Sequence, residues 1–218
     1  MAIRSVFFDV GETLVDETRD WGEWADFLGV SRFTFFAALG AVIARGHHHR
    51  EVFRVVRPQS DFAALSRLRH AAGSHYAIEA RDFYPDAIPC LAALKRRGLC
   101  VGIVGNQPSE TERVLAALKV PADVVATSAT WGVEKPSPGF FERIIAVTPG
   151  HAPNEIAYVG DRIDIDILPA ARAGMVAILL ERGPWAMIQP RPVGQCRYHT
   201  ISSLAEIPPL LDRLSPSA

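Results

Sequence analysis

Val6-Phe7-Phe8-Asp9-Val10-Gly11-Glu12-Thr13-Leu14 is the stretch that decides the fold of this chain. Its apolar run stops at a carboxylate and enters a turn that contains glycine. This pattern predicts that Asp9 lies at the carboxyl end of a buried strand, which is where open α/β sheets bind their ligands. An Asp at a strand end also commonly caps the next turn or helix, so the remaining segments decide whether Asp9 has a chemical role.

Short apolar runs alternate with helical patterns over most of the chain. Such alternation implies parallel strands joined by right-handed crossovers, and therefore an α/β fold with a parallel sheet flanked by helices. The last crossover is predicted to begin near Asp166, to hold Pro169 in its first turn and to end at Gly174. The predicted strands are Ile3–Phe8, Leu99–Val104, Val124–Thr127, Ile156–Val159 and Val176–Leu180.

The stretch after Leu14 differs, because it contains helical patterns and no clear buried strand. Apolar residues recur at helical spacing within residues 21–28 and again within residues 62–68. An insert that begins directly after the turn carrying Asp9 lies over the carboxyl ends of the strands and can act as a lid. We therefore predict a small α-helical cap domain at residues 15–83 and a core domain formed by residues 1–14 and 84–218.

Length, composition and charge exclude several classes of protein. The chain has 218 residues and 49% hydrophobic content, which is enough to bury a globular core. Its formal net charge of −1 gives no global attraction to nucleic acid or to an anionic membrane. Three widely spaced cysteines indicate neither a disulfide framework nor a zinc site. Because no signal peptide and no apolar run of about 20 residues is present, we expect a cytoplasmic monomer or homodimer that binds neither nucleic acid nor membranes.

Two further segments place polar groups where they can hold an anion. Gly105 and Asn106 follow the second strand and precede a helix, so their backbone N–H groups can cradle an anion, although a simple turn explains them equally well. Lys135 lies in a loop that two prolines stiffen, where it is either a fixed cation for phosphate or a solvated surface lysine.

A third segment carries three carboxylates within six positions, at Asp161, Asp164 and Asp166. They follow a buried strand and repel one another, and a bound divalent cation is the usual remedy for such repulsion. Asp166 also suits a helix N-cap, so its role stays open at this point.

Taken in order, these segments resemble the four signature motifs of the haloacid dehalogenase superfamily, and the resemblance covers nearly the whole chain. The most specific matches are Gly132-Val133-Glu134-Lys135-Pro136 and Val159-Gly160-Asp161 followed by Asp166. The insert after Leu14 is similar to that superfamily's helical cap. The resemblance implies a Rossmann-like core sheet whose motifs meet at the carboxyl ends of its strands.

The resemblance also implies phosphoryl transfer through a covalent aspartyl phosphate on a small phosphorylated substrate. By position, Asp9 would be the nucleophile and would bind Mg²⁺ together with Asp161 and the backbone carbonyl of Gly11. Lys135 would neutralise the phosphoryl oxygens and hold Asp9 ready. These roles are physically coherent, because two anions must meet and their repulsion has to be offset before attack.

Three other residues receive supporting roles by the same resemblance. Gly105 and Asn106 would offer N–H donors to the substrate's phosphate group. Asp166 would be a supporting carboxylate in the outer shell of the metal.

Two positions depart from the pattern of the superfamily. Its phosphatases usually carry a second Asp two residues after the nucleophile, which protonates the leaving oxygen, but that position is Gly11. A general acid–base group contributes about 10²–10⁴-fold in rate, so we expect a slow or specialised enzyme unless a neighbour such as Glu12 replaces it. The usual Ser or Thr of the second motif is Gly105, which removes a hydroxyl donor from the phosphate site.

The predicted cap carries an arginine-rich stretch. Between Arg32 and His70 there are seven arginines against two acidic residues, which suits either an anionic substrate or a solvated helix face. His47-His48-His49 cannot share one face of a helix or strand, so we expect them to lie in an exposed loop.

The leading hypothesis is a Mg²⁺-dependent phosphohydrolase of the haloacid dehalogenase superfamily. The first alternative is a catalytically weak or silent member that binds a phospho-ligand or a protein partner. A metal-free dehalogenase would also use an Asp nucleophile, but the acidic segment argues for a cation. A dinucleotide-binding protein is disfavoured, because no G-x-G-x-x-G motif follows any predicted strand.

Overall fold

A six-stranded parallel sheet forms the centre of the molecule. The computed structural model describes residues 2–74, 76–190 and 196–214, so the predicted domain ranges also include a few residues outside the described part. The strands are β1 (Ser5–Phe8), β2 (Cys100–Gly105), β3 (Val124–Thr127), β4 (Ile156–Gly160), β5 (Val176–Leu180) and β6 (His199–Ile201). Their order across the sheet is β3-β2-β1-β4-β5-β6, and all neighbours run parallel.

The predicted α/β fold is therefore confirmed, and the five predicted strands lie where the sequence indicated. Strand β6 was not predicted. It has only three residues, His199-Thr200-Ile201, and pairs with β5 at one edge of the sheet. A short edge strand with a single aliphatic residue carries too little periodicity to be recognised from the sequence.

Helices cover both faces of the sheet, since side chains alternate between the faces along each strand. Val6 and Phe8 of β1 join one buried cluster with α5 and α11, whereas Phe7 joins the opposite cluster with α8 and α9. The helices are α1 (Thr18–Phe27), α2 (Arg32–Ala44), α3 (Glu51–Val56), α4 (Phe62–Ala71), α5 (Ala87–Arg96), α6 (Glu110–Ala117), α7 (Ser128–Trp131), α8 (Pro138–Ala146), α9 (Leu168–Arg172), α10 (Gly183–Ile188) and α11 (Ile207–Leu214).

The last crossover begins earlier than predicted. A π-helical turn at Ile163–Ile167 precedes α9, which holds Pro169 in its first turn as expected. The segment ends at Gly174, whose φ of 82° is a left-handed conformation that glycine adopts without strain.

Helices α1 to α4 have a buried cluster of their own. The cluster is rich in aromatic rings, and the closest pair, Trp24 and Phe53, packs edge to face with ring centroids 4.7 Å apart. Such a pair contributes about 0.5–1.5 kcal/mol beyond the burial of its area. The chain enters this region through a tight turn in which Gly11 bridges to Val15, and Val15 bridges to Phe83 on the returning segment. The division into a core and a cap domain stays a prediction.

Within the described residues, no single helix is both long and apolar enough to cross a membrane. Helices α1 and α2 meet the criteria of length and composition only as a pair, and they are bent by 115° relative to each other.

Candidate active site

A cleft of about 190 Å³ lies between the carboxyl ends of the strands and helices α1 to α4. Its lining comes from two sources. The floor, as we define it, comprises Asp9, Lys135 and Asp161, which line the cleft, together with the buried Asp166, which pairs with Lys135 behind them. The roof, as we define it, comprises Glu17, Asp20, Trp21, Trp24, His49, Arg50 and Phe62, all of which line the cleft from the segment of helices α1 to α4.

Buried ion pairs hold the floor together. The Lys135 ammonium lies 2.7 Å from Oδ1 of Asp9 and 2.6 Å from Oδ1 of Asp166, and its side chain is only 1% exposed. Burial alone would lower the pKa of this ammonium, but the facing carboxylates of Asp166 and Asp9 outweigh burial and raise the pKa above its usual value. Lys135 is therefore a fixed positive charge beneath the cleft.

Asp161 completes the floor. Carboxylate oxygens of Asp9, Asp161 and Asp166 all lie within 4.8 Å of one another. Oδ2 of Asp161 is buried without a hydrogen-bond partner, and burial together with repulsion from Asp166 and Asp9 raises the pKa of Asp161 well above its usual value. A buried, unpartnered carboxylate oxygen next to further carboxylates fits a hard divalent cation, which prefers oxygen ligands.

The sheet register explains why these residues meet. Phe8 of β1 pairs with Ile103 of β2 on one side and with Val159 of β4 on the other. The residues that follow these strands, among them Asp9 and Asp161, therefore emerge side by side at one edge of the sheet.

The Asn106 side chain forms hydrogen bonds to the backbone of Lys135. Its side-chain amide donates to the carbonyl of Lys135 at 2.9 Å, and its amide oxygen accepts from the Lys135 N–H at 2.8 Å. Gly105 makes room for the floor, because a Cβ at that position would lie 2.7 Å from Oδ1 of Asp9. The Asp9 carboxylate therefore lies so close to position 105 that a Ser or Thr side chain there would crowd it.

Asp166 and Asp164 point in different directions, although they are only two positions apart in the sequence. Asp166 is fully buried, with Oδ1 on Lys135 and Oδ2 accepting from the backbone N–H of Arg162 at 3.1 Å. Asp164 points outward instead, where the Arg162 guanidinium donates to it at 3.1 and 2.8 Å. The expectation that all three carboxylates repel one another is therefore wrong for Asp164.

The roof is largely aromatic. Trp21 packs edge to face with His49, at 5.7 Å between ring centroids, and the Arg50 guanidinium lies over the Phe62 ring at 4.6 Å. The expected loop at the three histidines is confirmed, but His49 is half-buried and lines the cleft. Burial lowers the pKa of His49 well below its usual value, which disfavours its charged form.

Most arginines of the basic stretch serve the region's own packing. Arg69 is buried and donates to Asp20 at 2.9 Å and to Glu23 at 3.0 Å. Of the seven, Arg50 alone lines the cleft among the described residues. Arg69 therefore links helices of this region to one another, whereas Arg50 faces the site.

Glu12 does not reach the cleft. It adopts a left-handed φ of 51°, and its carboxylate accepts from the hydroxyl of Tyr84 at 2.7 Å and from the backbone N–H of Glu17 at 2.9 Å. Glu17, which no motif singled out, lines the cleft instead, and its Oε2 accepts from Trp21 Nε1 at 3.0 Å. Burial raises the pKa of the Glu17 carboxyl to about 8, with further contributions from Glu12 and Asp20.

Most residues of the roof carry no motif by which the sequence identifies them as site residues. The available signal was a carboxylate at the start of a predicted helix, six positions after the glycine turn and four before Trp21. Trp21 and Trp24 lie in the stretch 21–28, whose apolar spacing indicates only the packed face of a helix. Helical periodicity identifies which face of a helix is buried, but not which of its residues overlie a neighbouring sheet.

Comparisons with known proteins agree with the fold and identify the family. A family model described as haloacid dehalogenase-like hydrolase matches residues 3–174. Two phosphatases are similar in sequence. Glyceraldehyde 3-phosphate phosphatase of Methanopyrus kandleri is 39% identical over 111 residues, which are 50% of this chain and 47% of that protein. Phosphoserine phosphatase of Thermus thermophilus is 32% identical over 171 residues, which are 73% of this chain and 68% of that protein.

The chain thus spans about half to two thirds of the length of these relatives. Among solved structures, the HAD-hydrolase YfnB from Bacillus subtilis bound to magnesium superposes with a TM-score of 0.74. The match covers 97% of this chain and 100% of that chain at 16% identity, which establishes a shared fold.

Proposed function

The chain belongs to the haloacid dehalogenase-like hydrolase family, and from this premise we propose that it is a Mg²⁺-dependent phosphohydrolase of a small phosphorylated metabolite. The observation that carries the proposal is the floor, in which a buried ammonium bridges Asp9 and Asp166 beside the unpartnered carboxylate oxygen of Asp161. A fixed cation beside clustered carboxylates is what a phosphate ester requires before an anionic nucleophile can approach it.

In this mechanism Asp9, Asp161 and the backbone carbonyl of Gly11 would hold the cation, and Asp166 would support the site from behind. When bound, Mg²⁺ offsets the negative charge of the phosphoryl group and orients it. Asp166 keeps the Lys135 ammonium in place through its 2.6 Å ion pair, and that ammonium in turn holds Oδ1 of Asp9.

Asp9 is the nucleophile in the proposed reaction. One of its carboxylate oxygens bonds to phosphorus, the bond from phosphorus to the leaving oxygen breaks, and an aspartyl phosphate results. Lys135 stabilises the charge on the transferring group. Gly105 ends β2 and Asn106 lines the cleft, and in the proposed reaction their backbone N–H groups would donate to the phosphoryl oxygens.

Cleft size and similarity point to a small substrate. A volume of about 190 Å³ leaves room for a metabolite of a few carbons beyond its phosphate. The two similar phosphatases are named for glyceraldehyde 3-phosphate and phosphoserine, and both compounds are of that size. Arg50 on the roof suits a second anionic group on the substrate.

A screen of three-carbon phosphate esters, together with p-nitrophenyl phosphate, tests the proposal with Mg²⁺ and with EDTA. We expect release of inorganic phosphate with Mg²⁺ and its loss with EDTA. Turnover that is equal under both conditions would contradict metal dependence. Absence of turnover on every ester would favour the alternative of a silent member that only binds a phospho-ligand, which calorimetric titration with the same esters would then detect.

A further inference from the structure

The space beside Gly11 is filled by a carboxyl group from another part of the chain. A Cβ placed on Gly11 would overlap Oε1 of Glu17 and would lie 2.7 Å from its carboxyl carbon. A side chain at position 11 would therefore occupy the volume that Glu17 now occupies. Glu17 is the N-cap residue of α1, so the group reaches this point from the roof rather than from the turn after β1.

The Glu17 carboxyl is oriented by its neighbours and stays accessible. Trp21 Nε1 donates to Oε2 at 3.0 Å, and the backbone N–H of Glu17 is held by Glu12 at 2.9 Å. The residue is only partly buried and lines the same cleft as Asp9 and Lys135. Its Oε1 therefore lies on the side of Gly11 and of the site.

Every other carboxylate around the cleft already has a different task. Asp20 accepts from Arg69 at 2.9 Å, and Glu12 accepts from Tyr84 at 2.7 Å. Asp166 is bound to Lys135, and Asp161 belongs to the proposed cation site. Among the described residues that line the cleft, this leaves Glu17 for proton transfer.

We propose that Glu17 is the general acid and base of this enzyme and takes the place of the carboxylate that Gly11 cannot supply. The inference rests on the proposed phosphohydrolase function. As Asp9 bonds to phosphorus, the bond to the leaving oxygen breaks, and that oxygen takes the bonding pair together with the proton of the Glu17 carboxyl, so the product leaves as an alcohol. The Glu17 carboxylate then takes a proton from water as the water oxygen attacks the aspartyl phosphate. Inorganic phosphate and free Asp9 are released, and Glu17 is protonated again.

This assignment changes the expectation for Gly11→Asp. From the sequence alone, that substitution restores a missing acid and accelerates the hydrolysis of alkyl phosphates. In the structure, the new side chain displaces the Glu17 carboxyl, so one acid is exchanged for another. We therefore expect no gain from Gly11→Asp in the wild-type background, and a gain only where Glu17 has been removed.

The test compares kcat/KM for glycerol phosphate, a poor leaving group, with kcat/KM for p-nitrophenyl phosphate, a good one. The key variant is Glu17→Gln, which keeps the acceptor for Trp21 but carries no transferable proton. Glu12→Gln is the matched control, because Glu12 is the second glutamate beside this turn but is buried and does not line the cleft. The double variant Glu17→Ala/Gly11→Asp moves the acid to position 11, and thermal unfolding with Mg²⁺ shows whether each variant is folded.

We expect Glu17→Gln to lower kcat/KM for glycerol phosphate by about 10²-fold or more and to change kcat/KM for the aryl ester little, because an aryl oxide departs without a proton. Glu12→Gln should leave the ratio of the two constants unchanged, and the double variant should restore most of it. A folded Glu17→Gln protein with an unchanged ratio would overturn the inference, as would a shifted ratio in Glu12→Gln alone. Wild-type turnover of the aryl ester separates these outcomes from failure of the proposed function, since no turnover of either ester would remove both.

Discussion

The floor of the cleft is held by buried ion pairs, whereas the roof is held by aromatic packing and by partly exposed side chains. Lys135 and Asp166 are 1% and 0% exposed at their side chains, and their ammonium and carboxylate lie 2.6 Å apart. Arg50, by contrast, is exposed and rests over the Phe62 ring. From this difference we expect the floor to hold the reacting groups in a defined geometry, because catalysis requires a fixed arrangement of those groups. We expect the roof to determine which substrates bind.

The largest expected effect follows from changing Asp9, the proposed nucleophile on the floor. Asp9→Asn keeps the volume of the side chain but removes both the proposed nucleophile and one charge toward the proposed cation. We expect turnover of p-nitrophenyl phosphate to fall by at least about 10³-fold, in line with the removal of other catalytic nucleophiles. The measurement is steady-state release of p-nitrophenol in saturating Mg²⁺.

Asp212→Asn is the control for this substitution. Asp212 is an exposed carboxylate on α11 that pairs with Arg97 at 2.9 Å, and neither residue lines the cleft. It should retain wild-type turnover. More than about a tenth of wild-type activity in Asp9→Asn would exclude an aspartyl phosphate at this position.

Removal of the floor cation is expected to affect both activity and stability. Lys135→Met leaves Asp9 and Asp166 buried without their shared partner, and breaking a buried ion pair in this way costs about 3–5 kcal/mol. We also expect turnover to fall by about 10²–10³-fold, because the transferring group loses a fixed positive charge. Urea unfolding and phosphate release measure the two effects on the same preparation.

Lys95→Met is the matched surface control. Lys95 pairs with Asp123, but both side chains are 37% exposed, so solvent screens the pair and its loss should cost at most about 1 kcal/mol. Equal stability losses in the two lysine variants would show that the floor is not a buried, low-dielectric site.

The floor carboxylates also predict how stability depends on pH when no metal is bound. Burial raises the pKa of the Asp166 carboxyl to about 6, against the opposing effect of Lys135, and burial also raises the pKa of the Asp161 carboxyl well above its usual value. Because these folded-state values lie above the unfolded value of about 3.9, the folded state binds more protons, and its stability falls as the pH rises from about 4 through the folded-state pKa values.

Mg²⁺ should therefore stabilise the protein more at pH 8 than at pH 5, where protons compete for the same oxygens. The expected gain at pH 8 is about 2.7 kcal/mol when free Mg²⁺ is 100-fold above its Kd. Thermal unfolding in Mg²⁺ and in EDTA at both pH values measures it. An equal shift at both pH values would place the cation away from Asp161.

The proximity of Asp9 and Asp161 could be predicted from the sequence because both residues directly follow buried strands, whereas their roles stay a prediction. In a parallel sheet, the carboxyl ends of the strands lie at the same edge, so the sequence alone predicts that Asp9 and Asp161 lie close together. The same one-dimensional reasoning failed for Asp164. Its spacing matches that of its neighbours, but the π-helical turn at Ile163–Ile167 directs it outward to Arg162.

The roof could not be predicted in the same way. Trp21 and Glu17 act across the cleft, and their positions depend on how α1 is angled above the sheet rather than on any local pattern. The glycine at position 11 was visible in the sequence only as a missing group. The side chain that fills the space beside Gly11 is set by tertiary structure, because the Glu17 carboxyl comes from outside the turn.

The smallest expected effect concerns the exposed arginine of the roof. Arg50→Gln removes a charge that lines the cleft but is screened by solvent, so we expect KM to rise by about 2- to 5-fold, equivalent to less than about 1 kcal/mol. The rise should appear with phosphoserine, whose carboxylate can meet the guanidinium, and not with glycerol phosphate. Arg54→Gln is the control, because Arg54 is exposed on α3, pairs with Glu51 at 3.2 Å and does not line the cleft. If both substrates respond equally to Arg50→Gln while kcat also falls, the residue belongs to the phosphate site, and the division between a chemical floor and a selective roof would have to be redrawn.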